Sequence, residues 1–352
     1  MILAHNALLW LQIAAIAFFG SLAVTGFMRM AGLGDPAGKR SAHSGIIPTS
    51  GGVGIIAGLG LGLMTTALIF PNLRLHTGFA TSMSLVFAMG LLGLTDDRMT
   101  LGPKLKFGIM ILICAVAVRE IGPPESIPGF YKTIDLPIWL GFGGAVFWLF
   151  LVTNIVNFMD GANGMIGLTM SVAFTALFGL GLVANSTDVC VLSAILLMSI
   201  LGFLPYNSRR KAQIFCGDVG SLMIGFSYAL AVLFLINQDN ENNFHWAGVI
   251  LILPFLVDTL MTIARRILKR ENILLAHNQH LYQRLIKRGG GHLSVSGLYA
   301  ILALVCANIF LLGITRDWFQ TPRLFFILAG MFIAGWFLLG RPSRNSRDDI
   351  TR

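Results

Sequence analysis

Apolar runs of about 20 residues, nearly free of charge, recur along this chain and are separated by shorter segments in which the polar residues gather. As a helix, a run of about 20 residues spans the roughly 30 Å hydrocarbon core of a bilayer. Eleven such runs are read, at 7–30, 51–70, 78–95, 105–118, 137–156, 165–184, 189–206, 219–237, 247–264, 294–314 and 323–340. The pattern predicts an all-α polytopic membrane protein with about 11 transmembrane helices. The first run has no Lys or Arg before it and exceeds the apolar region of a signal peptide, so it is expected as a retained helix. A single integral-membrane domain over 1–340 and a basic tail over 341–352 complete the expected organisation.

Composition removes the soluble alternative. The 352 residues are 55% hydrophobic and 12% charged, with mean hydropathy +0.77, whereas a soluble domain carries roughly a quarter charged residues. The net charge of +9 could suggest a nucleic-acid partner, but its placement argues otherwise. Twenty of the 25 Lys and Arg fall on one set of alternate connections, including Arg29, Lys104, Arg209 and the loop 265–293. The positive-inside rule puts that set in the cytoplasm, the N-terminus outside and the C-terminus inside. No nucleic acid is expected as a partner. Cys114, Cys190, Cys216 and Cys306 have no CxxC spacing and read as core thiols, without a disulfide framework or zinc site.

Five cytoplasmic segments carry more polar chemistry than connectors need. In the first, Lys39 and Arg40 precede the glycines at 51–52, which suits an anion held by cations and exposed amides, or equally a basic membrane anchor. In the second, TDDR at 95–98, Asp96 and Asp97 repel each other at the membrane edge unless a cation or proton relieves them. A short hairpin is expected to bring Lys106 back beside Asp97. In the third, NIVNFMDGANG at 154–164, Asn154, Asn157 and Asp160 recur every three residues and form a polar stripe on one helical face. Such a stripe lines a site or hydrogen-bonds a neighbouring helix. In the fourth, IFCGDVGS at 214–221, Asp218 is either the cap of the helix it opens or a metal ligand. In the fifth, AHNQHLYQRL at 276–285, His277, His280 and Arg284 are expected on one face of a helix as phosphate or nucleotide contacts. Asp258, inside the preceding apolar run, is an intramembrane carboxylate, whose structural alternative is a buried pair with a basic side chain. Carboxylates and amides without a thiolate cluster favour a hard cation, Mg2+ with Mn2+ as substitute. The whole inventory fits metal-assisted phosphoryl transfer.

These four motifs, TDDR with Lys106, NIVNFMDGANG, IFCGDVGS and AHNQHLYQRL, resemble those of the polyprenyl-phosphate N-acetylhexosamine-1-phosphate transferase family over about residues 35–284. The HLYQRL form is similar to bacterial members that start O-antigen and other surface polysaccharides. The resemblance implies a multi-pass enzyme of the bacterial inner membrane with a cytoplasmic active site. It implies transfer from a UDP-N-acetylhexosamine to undecaprenyl phosphate, giving undecaprenyl-diphospho-sugar and UMP, with Mg2+; a homodimer is compatible with it. Matched by position, Asp96, Asp97, Lys106 and Asp160 are the catalytic candidates, and Asp218 with Asn157 the metal site. Lys39, Arg40, Asn154, Asn163, His277, His280 and Arg284 are the candidate substrate contacts. The chain departs from the family pattern at Asn163, where a second Asp is usual, and at Ser50, where a basic residue often stands. A secondary transporter or lipid flippase is the rival reading. Its substrate would sit near the bilayer midplane, whereas these polar residues gather at one rim.

Overall fold

The computed structural model describes residues 7–32, 47–238, 244–272, 275, 277–316 and 321–340. Lys39, Arg40 and the basic tail lie outside the described residues. The helices are α1 (Ala7–Ala31), α2 (Gly51–Ile69), α3 (Phe79–Met99), α4 (Pro103–Ile121), α5 (Ile138–Phe158), α6 (Met165–Val183), α7 (Thr187–Asn207), α8 (Gly217–Gln238), α9 (Ala247–Leu251), α10 (Leu253–Leu268), α11 (Leu281–Lys287), α12 (His292–Arg316) and α13 (Thr321–Leu339). In lipid, where no water can satisfy a stray N–H or C=O, an apolar run closes its backbone bonds within itself. That is why the long runs are helices.

Among the described residues nine helices are long and apolar enough to cross a membrane. The polytopic all-α architecture therefore stands. Two expected spans take different forms. Helix α4 is 19 residues long but carries Lys104, Lys106, Arg119 and Glu120 near its ends. The run 247–264 is not one rod: α9 and α10 meet at 67°. Pro254, in the first turn of α10, has no N–H to continue the α9 ladder, so the chain turns there. An outer connection also holds an unforeseen antiparallel hairpin, β1 (Ser126–Pro128) with β2 (Thr133–Asp135), in which Ile127 faces Ile134.

Helix α8 is the axis of the bundle: 94% of its spanning window is buried, against 17% for α1. It packs on α2, α3, α5 and α7. Gly220 of α8 meets Gly52 of α2 so closely that a Cβ on either would strike the other's backbone. Backbone bonds lock the two helix entrances: the amides of Gly51 and Gly52 donate to the carbonyls of Phe215 and Cys216, both at 2.9 Å. The start of α8 is thereby fixed where the ends of α3 and α5 also arrive.

Candidate active site

Helix α3 continues past the predicted limit at Thr95 and ends at Met99, so Asp96 and Asp97 stand in its last turn. Neighbours on a helix point about 100° apart. The two carboxylates consequently face different partners. Asp96 Oδ1 accepts the Leu101 amide at 2.8 Å, and its Oδ2 takes Lys106 Nζ at 2.6 Å. The same ammonium reaches Asp218 Oδ2 at 2.5 Å. Lys106 therefore lies between Asp96 and Asp218, not beside Asp97 as the hairpin argument expects. Asp97 turns to α8, where its two oxygens accept the amides of Asp218 and Val219, each at 3.1 Å.

That contact revises the reading of Asp218 as a helix cap. Asp218 lies inside the first turn of α8 with its side chain turned to Lys106 and Asn157, while Asp97, 121 residues earlier, receives the orphan amides. Gly217 donates its own amide to Asp160. Gly217 has φ +74°, and a Cβ there would meet the Thr49 carbonyl and the Asp97 carboxylate, so only glycine fits both the conformation and the space. The N-terminus of α8 thus draws in two carboxylates, as its partial positive charge favours.

The polar stripe divides in the structure. Asn157 Nδ2 donates to Asp218 Oδ1 and to Ser221 Oγ, both at 2.9 Å. It orients Asp218 through its nitrogen, and only its Oδ1 would be left for a metal. Asn154 Nδ2 donates to the Phe150 carbonyl of its own helix at 2.7 Å. Asp160 lies just past the end of α5; burial first, then the charges of Asp218 and Asp97, pushes its carboxyl up to about 8. Lys106 contacts only Asp96 and Asp218, so the raised Asp160 carboxyl holds its proton at neutral pH unless a cation arrives.

The donor set suits Mg2+. Hard carboxylate oxygens of Asp97, Asp160 and Asp218 surround the start of α8. The Cys216 thiol nearby is kept protonated, since burial and then the carboxylates push it well above its ordinary value. Among the described residues no three His, Cys, Asp or Glu form a ready metal cage. Mg2+ takes only one or two protein carboxylates and completes its shell with water and substrate phosphate.

Asn163 stands apart from this cluster. Its Nδ2 donates to the carbonyls of Arg209 and Arg210 at 2.9 and 3.2 Å, and its own carbonyl accepts from Ser296 Oγ at 2.8 Å. The side chain holds the loop after α7, and the backbone of the same residue holds α12. Asn163→Asp will set a buried carboxylate against two carbonyl oxygens at a cost of about 2 kcal/mol or more. The expected result is a lowered melting temperature, with activity per folded molecule largely kept. A normal melting temperature with lost activity would make Asn163 a substrate contact.

The His segment is not the helix that its spacing suggests. His277 and His280 lie before α11, which begins at Leu281, and only Arg284 is within it. The cause is Asp258: its Oδ1 accepts the Leu281 amide at 2.6 Å and its Oδ2 the Tyr282 amide at 3.1 Å, with the Tyr299 hydroxyl at 2.7 Å. This carboxylate caps α11 from α10 instead of pairing with a basic side chain. His280 Nδ1 is 3.9 Å from it.

Around Asp258 gather Arg265, Arg266, His277, His280 and Arg284. Arg266 is satisfied by Glu271 and the carbonyls of Asn272 and Leu275. Arg265 donates Nη2 to Gln279 Oε1 at 2.7 Å and Arg284 donates Nη1 to the Gly340 carbonyl at 3.1 Å, but Arg265 Nε, Arg284 Nε and Nη2, and His277 Nδ1 are buried without a partner among the described residues. Burial lowers both imidazoles, His277 to about 4, so each is neutral at pH 7 and acts through hydrogen bonds. Arginine N–H groups left buried without a partner mark a place for an anion. This cluster adjoins the aspartates, since Tyr282 donates to the Phe158 carbonyl at 3.3 Å and His280 stacks on Phe158 with ring centroids 6.3 Å apart. Sequence spacing flagged His277, His280 and Arg284 but gave no role to Tyr282, which lies in the same motif, or to Arg265, which lies outside it.

Comparison with known proteins meets this geometry. The sequence profile of glycosyl transferase family 4 matches residues 79–236. A probable undecaprenyl-phosphate N-acetylglucosaminyl 1-phosphate transferase of Bacillus subtilis is 28% identical over 85% of this chain and 82% of its own length. A decaprenyl-phosphate N-acetylglucosaminephosphotransferase of Mycobacterium tuberculosis is 28% identical over 90% and 83%. A phospho-N-acetylmuramoyl-pentapeptide-transferase of Bacillus cytotoxicus is 30% identical over 64% and 75%.

Proposed function

Since the chain belongs to glycosyl transferase family 4, the polyprenyl-phosphate N-acetylhexosamine-1-phosphate transferases, we propose that it moves an N-acetylhexosamine-1-phosphate from a UDP-sugar to undecaprenyl phosphate, releasing UMP. The observation that carries this reading is the meeting of two clusters of opposite charge: Asp96 and Asp218 on Lys106 and, across Phe158 and Tyr282, arginine N–H groups of Arg265 and Arg284 that are buried without a partner among the described residues. The donor's diphosphate would lie on Arg265, Arg284 and the imidazoles, with its β-phosphorus toward Lys106. Asp218, oriented by Asn157, would hold Mg2+, which when bound supplies neutralisation of the phosphate oxygens.

The site lies at the ends of α3, α5 and α8 instead of at mid-helix, which supports an enzyme over a transporter. With the basic residues as the guide to orientation, that end faces the cytoplasm, where nucleotide sugars are found, and the product would start O-antigen or another surface polysaccharide. Apolar side chains of α10, among them Leu260, Ile267 and Leu268, stay exposed beside the site and suit a lipid acceptor.

The test is UMP release from a panel of UDP-sugars with undecaprenyl phosphate. Because the relatives are N-acetylglucosamine-1-phosphate transferases by name, UDP-N-acetylglucosamine is the first to assay, followed by the GalNAc, FucNAc and QuiNAc donors. Chelation is expected to abolish release, and Mg2+ or Mn2+ to restore it. A rate that resists the chelator removes Asp218 from its metal role, and no release from any UDP-sugar overturns the donor assignment.

A further inference from the structure

Trp336 belongs to α13, a span of which only 22% is buried, yet its own side chain is buried. Its indole N–H donates to Asp258 Oδ1 at 3.4 Å. The Arg284 guanidinium lies over its ring at 4.7 Å from the centroid. Just beyond, the carbonyls that end α13 take up arginines from α11 and its C-terminal edge: Gly340 accepts Arg284 Nη1 at 3.1 Å and Leu339 accepts Arg288 Nη1 at 2.5 Å. Asp258 in turn holds the first two amides of α11 and the Tyr299 hydroxyl of α12. One carboxylate and one indole thus join α10, α11, α12 and α13.

A guanidinium offers five N–H donors in a fixed plane. Stacking on the indole sets that plane, and the bond from Nη1 to Gly340 sets its rotation. Nε and Nη2 are left on the other edge, buried and without a partner among the described residues. An arginine held in this way loses less freedom when an anion arrives than one that is free to rotate.

We propose that Trp336 is a positioning residue of the donor site: it holds Arg284, and through Asp258 the start of α11, so that the free edge of Arg284 meets a phosphate of the nucleotide donor. The proposal rests on the reading of residues 277–284 as the donor pocket. It gives the last helix, which lies outside the profile-matched residues 79–236, a part in substrate recognition.

The test uses the full chain with Trp336→Leu, Trp336→Phe, Arg284→Ala and the double variant Trp336→Leu/Arg284→Ala. KM for the UDP-sugar, KM for undecaprenyl phosphate, kcat and melting temperature are measured for each. Loss of a desolvated stacking contact predicts a donor KM raised about tenfold in Trp336→Leu. Acceptor KM and kcat should stay within about twofold, as for removal of uniform binding. Trp336→Phe keeps a ring under the guanidinium and should recover most of the loss. In Arg284→Ala, which itself raises donor KM, adding Trp336→Leu should change nothing more. A donor KM unmoved by Trp336→Leu, or moved as much without Arg284, overturns the positioning role alone. So does a fall in kcat and melting temperature with donor KM unchanged and no recovery in Trp336→Phe. A donor KM unmoved by Arg284→Ala overturns the donor-pocket reading, and the proposal with it.

Discussion

Asp218→Asn is expected to lower turnover at least about a hundredfold while the protein remains folded. The carboxylate lies between Lys106 Nζ at 2.5 Å and Asn157 Nδ2 at 2.9 Å, both donors. An amide in its place has one acceptor oxygen, so its own NH2 must confront one of the two. The negative charge that balances Lys106 and attracts a divalent cation is lost as well. Lys106→Met should cost as much, because Asp96 and Asp218 then face each other with no ammonium between them. Groups that act as one unit are not additive, so the double variant should be no worse than the poorer single one. UMP release by the purified variants, with melting temperatures alongside, checks this. Single variants that retain more than about a tenth of the activity, or effects that simply multiply, would dissolve the proposed clamp.

Asp97 bears on the route of transfer, for which direct displacement is the expected result. In a covalent route this carboxylate attacks the β-phosphorus and carries the sugar phosphate before the lipid takes it. Both of its oxygens, however, accept amides at the start of α8, and an attack through one of them would weaken that oxygen's bond to its amide. The acceptor needs no such relay: a phosphate monoester has its second pKa near 6 and is already mostly a dianion at neutral pH. The expected result is that labelled UMP does not exchange into the UDP-sugar pool when undecaprenyl phosphate is left out. Asp97→Asn should cost about a hundredfold or more in activity and also lower the melting temperature, because its NH2 would face a backbone N–H. Robust exchange without lipid, lost in Asp97→Asn, would make Asp97 the nucleophile.

The placement of individual residues shows how far local pattern reaches. The spans of α2, α6, α7 and α8 fall within a few residues of their hydropathy limits, because an apolar segment in lipid has few ways other than a helix to satisfy its backbone. Asp96, Lys106, Asn157, Asp160 and Asp218 do converge, as their shared position at one membrane rim implies. Asn154 and Asn163 are equally polar and equally close in sequence, yet they bond to their own helix and to a neighbouring loop. Spacing places a side chain on a face but leaves its partner undetermined.

By itself, then, the sequence determined what depends on single segments and residue types: a many-spanning helical bundle, a hard-oxygen cluster and a basic loop facing the same side. Tertiary structure alone decided the pairings made across long stretches of chain. Asp97 caps α8 from 121 residues away and Asp258 caps α11 from 23. Lys106 joins Asp96 and Asp218, and Trp336 supports Arg284. The physical reason is that a helix terminus leaves amides which any nearby carboxylate can satisfy. Which carboxylate arrives depends on how the helices pack, and that packing is set by contacts such as Gly52 against Gly220, to which a residue's sequence neighbours give no clue.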